Sequence, residues 1–344
     1  MHLENILVIS PNWLGDAVMA MPAVQRLKKS RPDSRLAVLA KPGVAPLWSM
    51  HEAADQVVVL PKGTAATFRM AARLRQQRFS TCFILPNSFR SALIPFLAGI
   101  PVRRGTAFHG RRAMVNQRVR LPDVDSQGET LHQAREYLTL LCGTPEGDLA
   151  DTGFHPPSPR LLDDLPQTEG PMIGVVPGAA RGESKRWKGF AEAIKIVLRS
   201  LPASRVVVAG APNEMALCAD VAESIGPAAI NVAGRTSLPE FASLLGSCRL
   251  VLCNDSGGMH LASAAGVPVV AIYGLTDPDK TGPIGSNAVV IRAKGVRPSR
   301  QIARECPVAI AALASIQPEE VAKACLERLK TPRTGEAPPS EPEA

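Results

Sequence analysis

Short apolar runs alternate with amphipathic stretches along this chain, and the hydrophobic period switches repeatedly between that of a strand and that of a helix. Strands are predicted at ILVIS (6–10), RLAVLA (35–40), QVVVL (56–60) and TCFILP (81–86), and helices at 16–30, 45–51, 65–78 and 90–98. A polar helix around 129–142 leads into a loop rich in Pro and Asp from 144 to 170. The pattern then restarts with MIGVVPG (172–178), a helix near 188–200, RVVVAG (205–210), a helix at 213–225, INVAG (230–234) and a helix at 239–247. Residues 250–274 read as strand, glycine turn, helix and second strand, and a last helix is predicted at 318–330.

Near-continuous apolar strands separated by helices imply parallel sheets covered on both faces. The expected architecture is α/β, with two Rossmann-like parallel-sheet domains at 1–165 and 166–330 facing a cleft. The remaining residues, 331–344, are Pro- and Glu-rich and are expected to be a disordered tail. A length of 344 residues agrees with two domains of about 150 residues each.

Composition narrows the class. Aromatic residues are few, and no apolar stretch approaches the roughly 20 residues needed to span a bilayer. The first strand follows the N-terminus with no basic leader, so a cytoplasmic protein is expected. Seven cysteines are scattered without a CxxC pair and are expected to be reduced core residues rather than a disulfide or zinc framework.

The net charge of +8 matters less than its distribution. Between Asp55 and Asp123 lie 67 residues without one carboxylate, holding one lysine and eleven arginines. Such a field attracts an anionic partner: nucleic acid, an anionic membrane or a phosphorylated substrate. Arg69, Arg73, Arg75 and Arg78 read as a solvated helix face, whereas Arg90, Arg103 and Arg104 flank apolar elements.

Candidate chemistry sits where strands end. Asn254, Asp255, Ser256, Gly257 and Gly258 close one strand and open a helix, where open α/β sheets bind ligands. Glycines permit close backbone approach, and helix N–H groups suit a phosphate; His260 lies one turn beyond Ser256. The glycines alone would need nothing beyond a capped turn. In SPNWLGD (10–16), Asp16 is either a helix N-cap or a general base. Gly178 with Lys185 and Arg186 suits a diphosphate, and Glu214 could hold a ribose diol or cap its own helix. The two Asp-x-Asp triplets, at 123–125 and 277–279, look like turns, and no metal is assigned.

Four stretches in order, SPNWLGD, LPNSFRSALIPFLAGIPVRRG (85–105), PGAARGESKRW (177–187) and NDSGGMH (254–260), resemble the bacterial lipopolysaccharide heptosyltransferases, glycosyltransferase family 9. The resemblance runs from about residue 5 to 330, and LPNSFRSAL resembles the type II branch. It implies a GT-B fold and inverting, metal-independent transfer from ADP-L-glycero-β-D-manno-heptose without a cofactor. The implied acceptor is the heptosyl-Kdo2-lipid A inner core, an anionic glycolipid at the cytoplasmic face of the inner membrane; nucleic acid is not a partner. Carried over residue by residue, Asp16 is the base, and Lys185, Gly178, Ser256 and Gly257 hold the departing diphosphate. Glu214 holds the ribose, Asp255 and His260 lie near sugar and phosphate, and Asn87, Ser88, Arg90, Arg103 and Arg104 serve the acceptor. Three other readings compete: another heptosyltransferase subtype of the same family, a nucleotide-sugar epimerase of similar fold, and a non-catalytic polyanion binder resting on the arginines alone.

Overall fold

The structure, a computed structural model, describes residues 4–108, 110–124, 127–158, 169–285, 287–299 and 303–331. The expected tail, apart from Thr331, and Asp125 of the first Asp-x-Asp triplet lie outside these residues. The chain divides into two units between His155 and Pro156.

In the first unit, β1 (Asn5–Ile9) is flanked on both sides and its residues 6–9 are buried, which is why its sequence is an apolar run rather than an alternation. It leads into α1 (Leu14–Ser30), β2 (Arg35–Ala40), α2 (Ala45–Trp48), β3 (Gln56–Val59), α3 (Thr64–Gln76), β4 (Thr81–Ile84), α4 (Phe89–Leu97), β5 (Val102–Gly105), the two-residue β6 (Gln117–Arg118) and α5 (Gln133–Cys142). The six strands are parallel throughout and ordered β3-β2-β1-β4-β5-β6.

The second unit repeats the plan with β7 (Met172–Val176), α6 (Phe190–Ser200), β8 (Arg205–Val208), α7 (Met215–Ile225), β9 (Ala229–Asn231), α8 (Leu238–Ser247), β10 (Leu250–Asn254), α9 (Gly257–Ala264), β11 (Val269–Tyr273), α10 (Pro278–Thr281), β12 (Ala288–Arg292), α11 (Pro307–Ala314) and α12 (Pro318–Lys330). Its all-parallel order, β12-β11-β10-β7-β8-β9, is the same doubly wound arrangement. In each unit the strand order reverses between the first strand and the fourth, β1 and β4 or β7 and β10. Ligands of such sheets bind outside the carboxyl ends of those two strands. The four motif stretches of the sequence are the loops that follow these four strands.

The seven cysteines are free, five of them buried, and no described helix is long and apolar enough to cross a membrane. The second Asp-x-Asp triplet is a turn: Asp277 caps α10 by accepting from the Asp279 N–H at 3.1 Å.

The end of the first unit is fastened to the turn that follows α2. Gly153 accepts a backbone hydrogen bond from Glu52, His155 donates one to Met50, and Phe154 forms an isolated antiparallel bridge with His51. His51 is buried beside Trp48; its Nδ1 accepts from the Ala53 N–H at 3.1 Å, so Nε2 carries the proton toward the Met21 carbonyl, 3.3 Å away. Burial lowers its pKa from 6.5 to about 4. Between these values the unfolded chain binds the proton and the folded chain does not, so stability falls as pH falls through that window, by up to about 3 kcal/mol. We expect the urea midpoint of the first unit to drop between pH 7 and pH 5 and the drop to shrink in His51→Gln; equal slopes in both proteins would remove His51 as its source.

Candidate active site

Helix α1 begins at Leu14, with Trp13 at the cap position, so Asp16 sits at the third helical position and the N-cap reading is not realised. Its carboxylate turns toward α5, where Gln133 Nε2 donates to Asp16 Oδ1 at 3.1 Å. The same Gln133 nitrogen lies 2.9 Å from the Tyr137 hydroxyl, which fixes the amide between the two groups. Burial, and secondarily the Asp16 charge, raises the Tyr137 pKa well above its usual value, so the phenol stays neutral. These side chains line a cavity of about 250 Å³ with Trp13, Glu136 and Asn87. A half-buried carboxylate oriented by a neutral amide, in a cavity that admits a hydroxyl, can accept a proton from it.

The loop is held by its neighbours. Trp48 Nε1 donates to Ser10 Oγ at 2.7 Å, locking the exit of β1. On the cavity's other wall, after β4, Asn87 Oδ1 accepts from Thr106 Oγ1 at 2.6 Å and from Arg111 Nη2 at 2.9 Å. Arg111 is 0% exposed, reaches the Pro86 carbonyl as well, and has its pKa lowered by burial. Ser88 caps α4 by accepting from the Ser91 N–H at 3.2 Å.

Arg90, Arg103 and Arg104 are drawn inward rather than presented as an open cationic face. Arg90 donates to Thr67 Oγ1 at 2.8 Å and to the Pro61 and Gly63 carbonyls at 2.9 and 3.2 Å. Arg103 donates to the Met114 carbonyl at 2.7 Å and lies over the Phe96 ring. Arg104 donates to the Leu140 carbonyl at 2.7 Å, serving one of the carbonyls that the last turn of α5 leaves without a helical partner. Edge strands and loops leave such acceptors unmade, and arginine's fork of donors fills them.

In the second unit Asn254, fully buried, ties together the loops after β7 and β10: Nδ2 donates to the Pro177 carbonyl at 2.7 Å, and Oδ1 accepts from the Trp187 N–H at 3.1 Å. Asn254→Leu would leave both backbone groups buried without partners. The expected loss is about 2–4 kcal/mol of unfolding free energy, read by urea denaturation; a loss below 1 kcal/mol would disprove the role.

The structure brings most of the second unit's candidate residues together. Lys185 ends a 3-10 turn (Gly182–Lys185) and forms an ion pair with Asp255, which is 8% exposed. That turn is pinned by Ser184, whose hydroxyl donates to the Ala303 carbonyl at 2.6 Å and accepts from the Cys306 N–H at 2.7 Å. Ser256 stands at the N-cap of α9 with its Oγ buried and without a hydrogen-bond partner, and His260 is buried in the same helix. Glu214 Oε2 accepts from the Ala211 N–H at 2.9 Å, so it caps its own turn. Its carboxylate also fills the space a Cβ on Gly178 would need, which brings Glu214 against the Gly178 turn. Cation, carboxylates, glycine turn and helix N-terminus form one polar cradle suited to a nucleoside diphosphate.

Sequence reasoning missed Gln133 and Tyr137, since only a polar helix was legible there, and it counted Arg111 merely as one of many arginines.

Residues 67–311 match glycosyltransferase family 9 (heptosyltransferase). Lipopolysaccharide heptosyltransferase 2 of Escherichia coli (strain K12) is 32% identical over 314 residues, spanning 84% of this chain and 88% of the relative. Lipooligosaccharide heptosyltransferase 2 of Haemophilus ducreyi is 31% identical over the same share of each chain. The structure of E. coli ADP-heptose LPS heptosyltransferase II superposes with a TM-score of 0.76 at 27% identity, covering 94% of this chain and 98% of that one. A family 9 glycosyltransferase from Veillonella parvula, TM-score 0.79 and 21% identical over 96% of this chain and 98% of that one, shares the fold.

Proposed function

The chain belongs to glycosyltransferase family 9, the heptosyltransferases, and from that premise we propose that it moves L-glycero-D-manno-heptose from ADP-heptose to the heptosyl-Kdo2-lipid A inner core of lipopolysaccharide. Membership makes it a glycosyltransferase, which leaves no ground for the epimerase or polyanion-binder readings. The subtype rests on degree: type 2 relatives from E. coli, Salmonella and Haemophilus reach 31–32% identity and those from Campylobacter jejuni 24%, whereas the type 1 enzyme of E. coli O18:K1:H7 reaches 23%. A nucleotide-sugar donor and a lipid-anchored acceptor meet at the cytoplasmic membrane face, which is where we take the reaction to occur.

The observation that carries the reading is Asp16, oriented by Gln133 in a cavity at the first sheet's reversal point. Asp16 takes the proton of the acceptor hydroxyl as its oxygen attacks the anomeric carbon. The bond from that carbon to the diphosphate oxygen breaks on the opposite face, the pair of electrons leaves with ADP, and the configuration inverts. Lys185, the Gly178 turn and the backbone N–H groups opening α9 at Ser256 and Gly257 balance the charge on the departing diphosphate. Glu214 holds the ribose, and Asp255 and His260 attend the sugar and phosphate. Asn87 meets the acceptor directly on the cavity wall, while Ser88, Arg90, Arg103 and Arg104 act through the shape of that wall.

The test is incubation of the purified protein with ADP-heptose and heptosyl-Kdo2-lipid A, with mass spectrometry of the glycolipid. One added heptose is expected. Transfer only to Kdo2-lipid A lacking heptose would reassign the subtype; isomerised donor without transfer would overturn the reading.

A further inference from the structure

Three phenylalanines on the carboxyl-edge side of the first sheet face solvent: Phe68 is 57% exposed, Phe89 53% and Phe108 59%. Two arginines fasten their segments to one another. Arg90, next to Phe89, bonds Thr67, next to Phe68. Arg111 donates to the Ser88 carbonyl at 3.5 Å, and its own N–H donates to the Phe108 carbonyl at 3.4 Å. Phe68, Phe89 and Phe108 therefore sit on three segments tied in series by two staples. Lys62, Arg69 and Arg112, from the same segments, are exposed, and the stretch from 56 to 122 contains no carboxylate to oppose them. None of these six residues lines the cavity beside Asp16.

Exposed large apolar side chains among cations, with no acid in the surrounding stretch, match a boundary that is apolar within and negative at its surface. We propose that Phe68, Phe89 and Phe108, ringed by Lys62, Arg69 and Arg112, are an insertion surface for an anionic lipid bilayer. The rings enter the headgroup and acyl boundary while the cations meet lipid phosphates, each contributing according to its depth and the local salt. The interaction is with bulk lipid and goes beyond recognition of the acceptor.

The experiment is co-sedimentation of the full chain with vesicles of phosphatidylethanolamine and phosphatidylglycerol, against vesicles of phosphatidylcholine. Wild type should pellet with the anionic vesicles, less as salt rises, and far less with phosphatidylcholine. Phe68→Ser/Phe89→Ser/Phe108→Ser should lower partitioning by roughly tenfold or more, because three apolar side chains no longer leave water. Lys62→Glu/Arg69→Glu should lower it as well while keeping the rings. Both variants should keep the wild-type thermal midpoint and wild-type turnover of a deacylated, water-soluble acceptor. Equal pelleting of wild type and the triple variant overturns the proposal. So does a wild type that ignores both vesicles yet loses self-association in the triple variant, which would make the patch a protein interface. Failure of heptose transfer itself would show in the soluble assay and leave the vesicle result standing.

Discussion

Asp16→Asn should lower kcat by about 10²- to 10⁴-fold while leaving ADP affinity close to wild type, because a positioned base acts on the attacking hydroxyl and makes no contact with the nucleotide. Asparagine keeps the shape and can still pair with Gln133, so the fold should hold and circular dichroism should be unchanged. The neighbour supplies a second readout. In the proposed mechanism Gln133 positions the base, and Gln133→Ala should reduce kcat by roughly tenfold with little change in donor KM. Gln133→Glu sets a second carboxylate where the amide lies 3.1 Å from Asp16, disfavours the ionised base and should move the acid limb of the pH–rate profile upward. Turnover of Asp16→Asn within threefold of wild type would show that another group takes the proton.

Lys185→Ala should weaken binding of ADP and of ADP-heptose alike, by about 10- to 100-fold, since both carry the diphosphate that the ammonium is proposed to meet. The ion pair sharpens the expectation. With the lysine gone, the mostly buried Asp255 loses the cation that pairs with it, so repulsion of the diphosphate adds to the lost attraction. Asp255→Asn frees the same lysine and should leave ADP affinity equal to or tighter than wild type. Calorimetry on the two variants separates these effects, and unchanged ADP affinity in Lys185→Ala would sink the assignment. EDTA should not alter turnover.

Much of the fold was legible because both faces of each central strand are covered. β1, β10 and β11 are apolar runs buried along almost their whole length, and the ends of β1 and β10 carry the glycine and polar motifs. The strands that escaped prediction lie nearer the sheet edges. β5 reads VRRG, its arginines reaching sideways for carbonyls, and β6 has two residues, too few for any period. β12 and α11 were also passed over, although AVVIR and PVAIAALA are apolar, because the intervening loop breaks their context. Polar helix 129–142 begins only at Gln133, where His132 accepts the capping bond from Ala134.

The site divided along the same line. Asp16, Lys185, Asp255 and Gly178 stood out in the sequence because residue type and position at a strand end point to chemistry. Gln133 did not, since its role exists only after α5 has packed on α1, 117 positions away. For the arginines, composition counts charges, whereas the hydrogen bonds of Arg90, Arg103 and Arg104 to backbone carbonyls appear only when the chain folds.

The bridge between His51 and Phe154 bears on how the protein is made. Synthesis is vectorial, and the strands of the first sheet are all synthesised before Phe154 is added. The partner that closes over His51 therefore arrives last, one residue short of the unit boundary. Phe154 must still clear the exit tunnel after it is added, so the first unit closes over His51 only once part of the second unit has been synthesised.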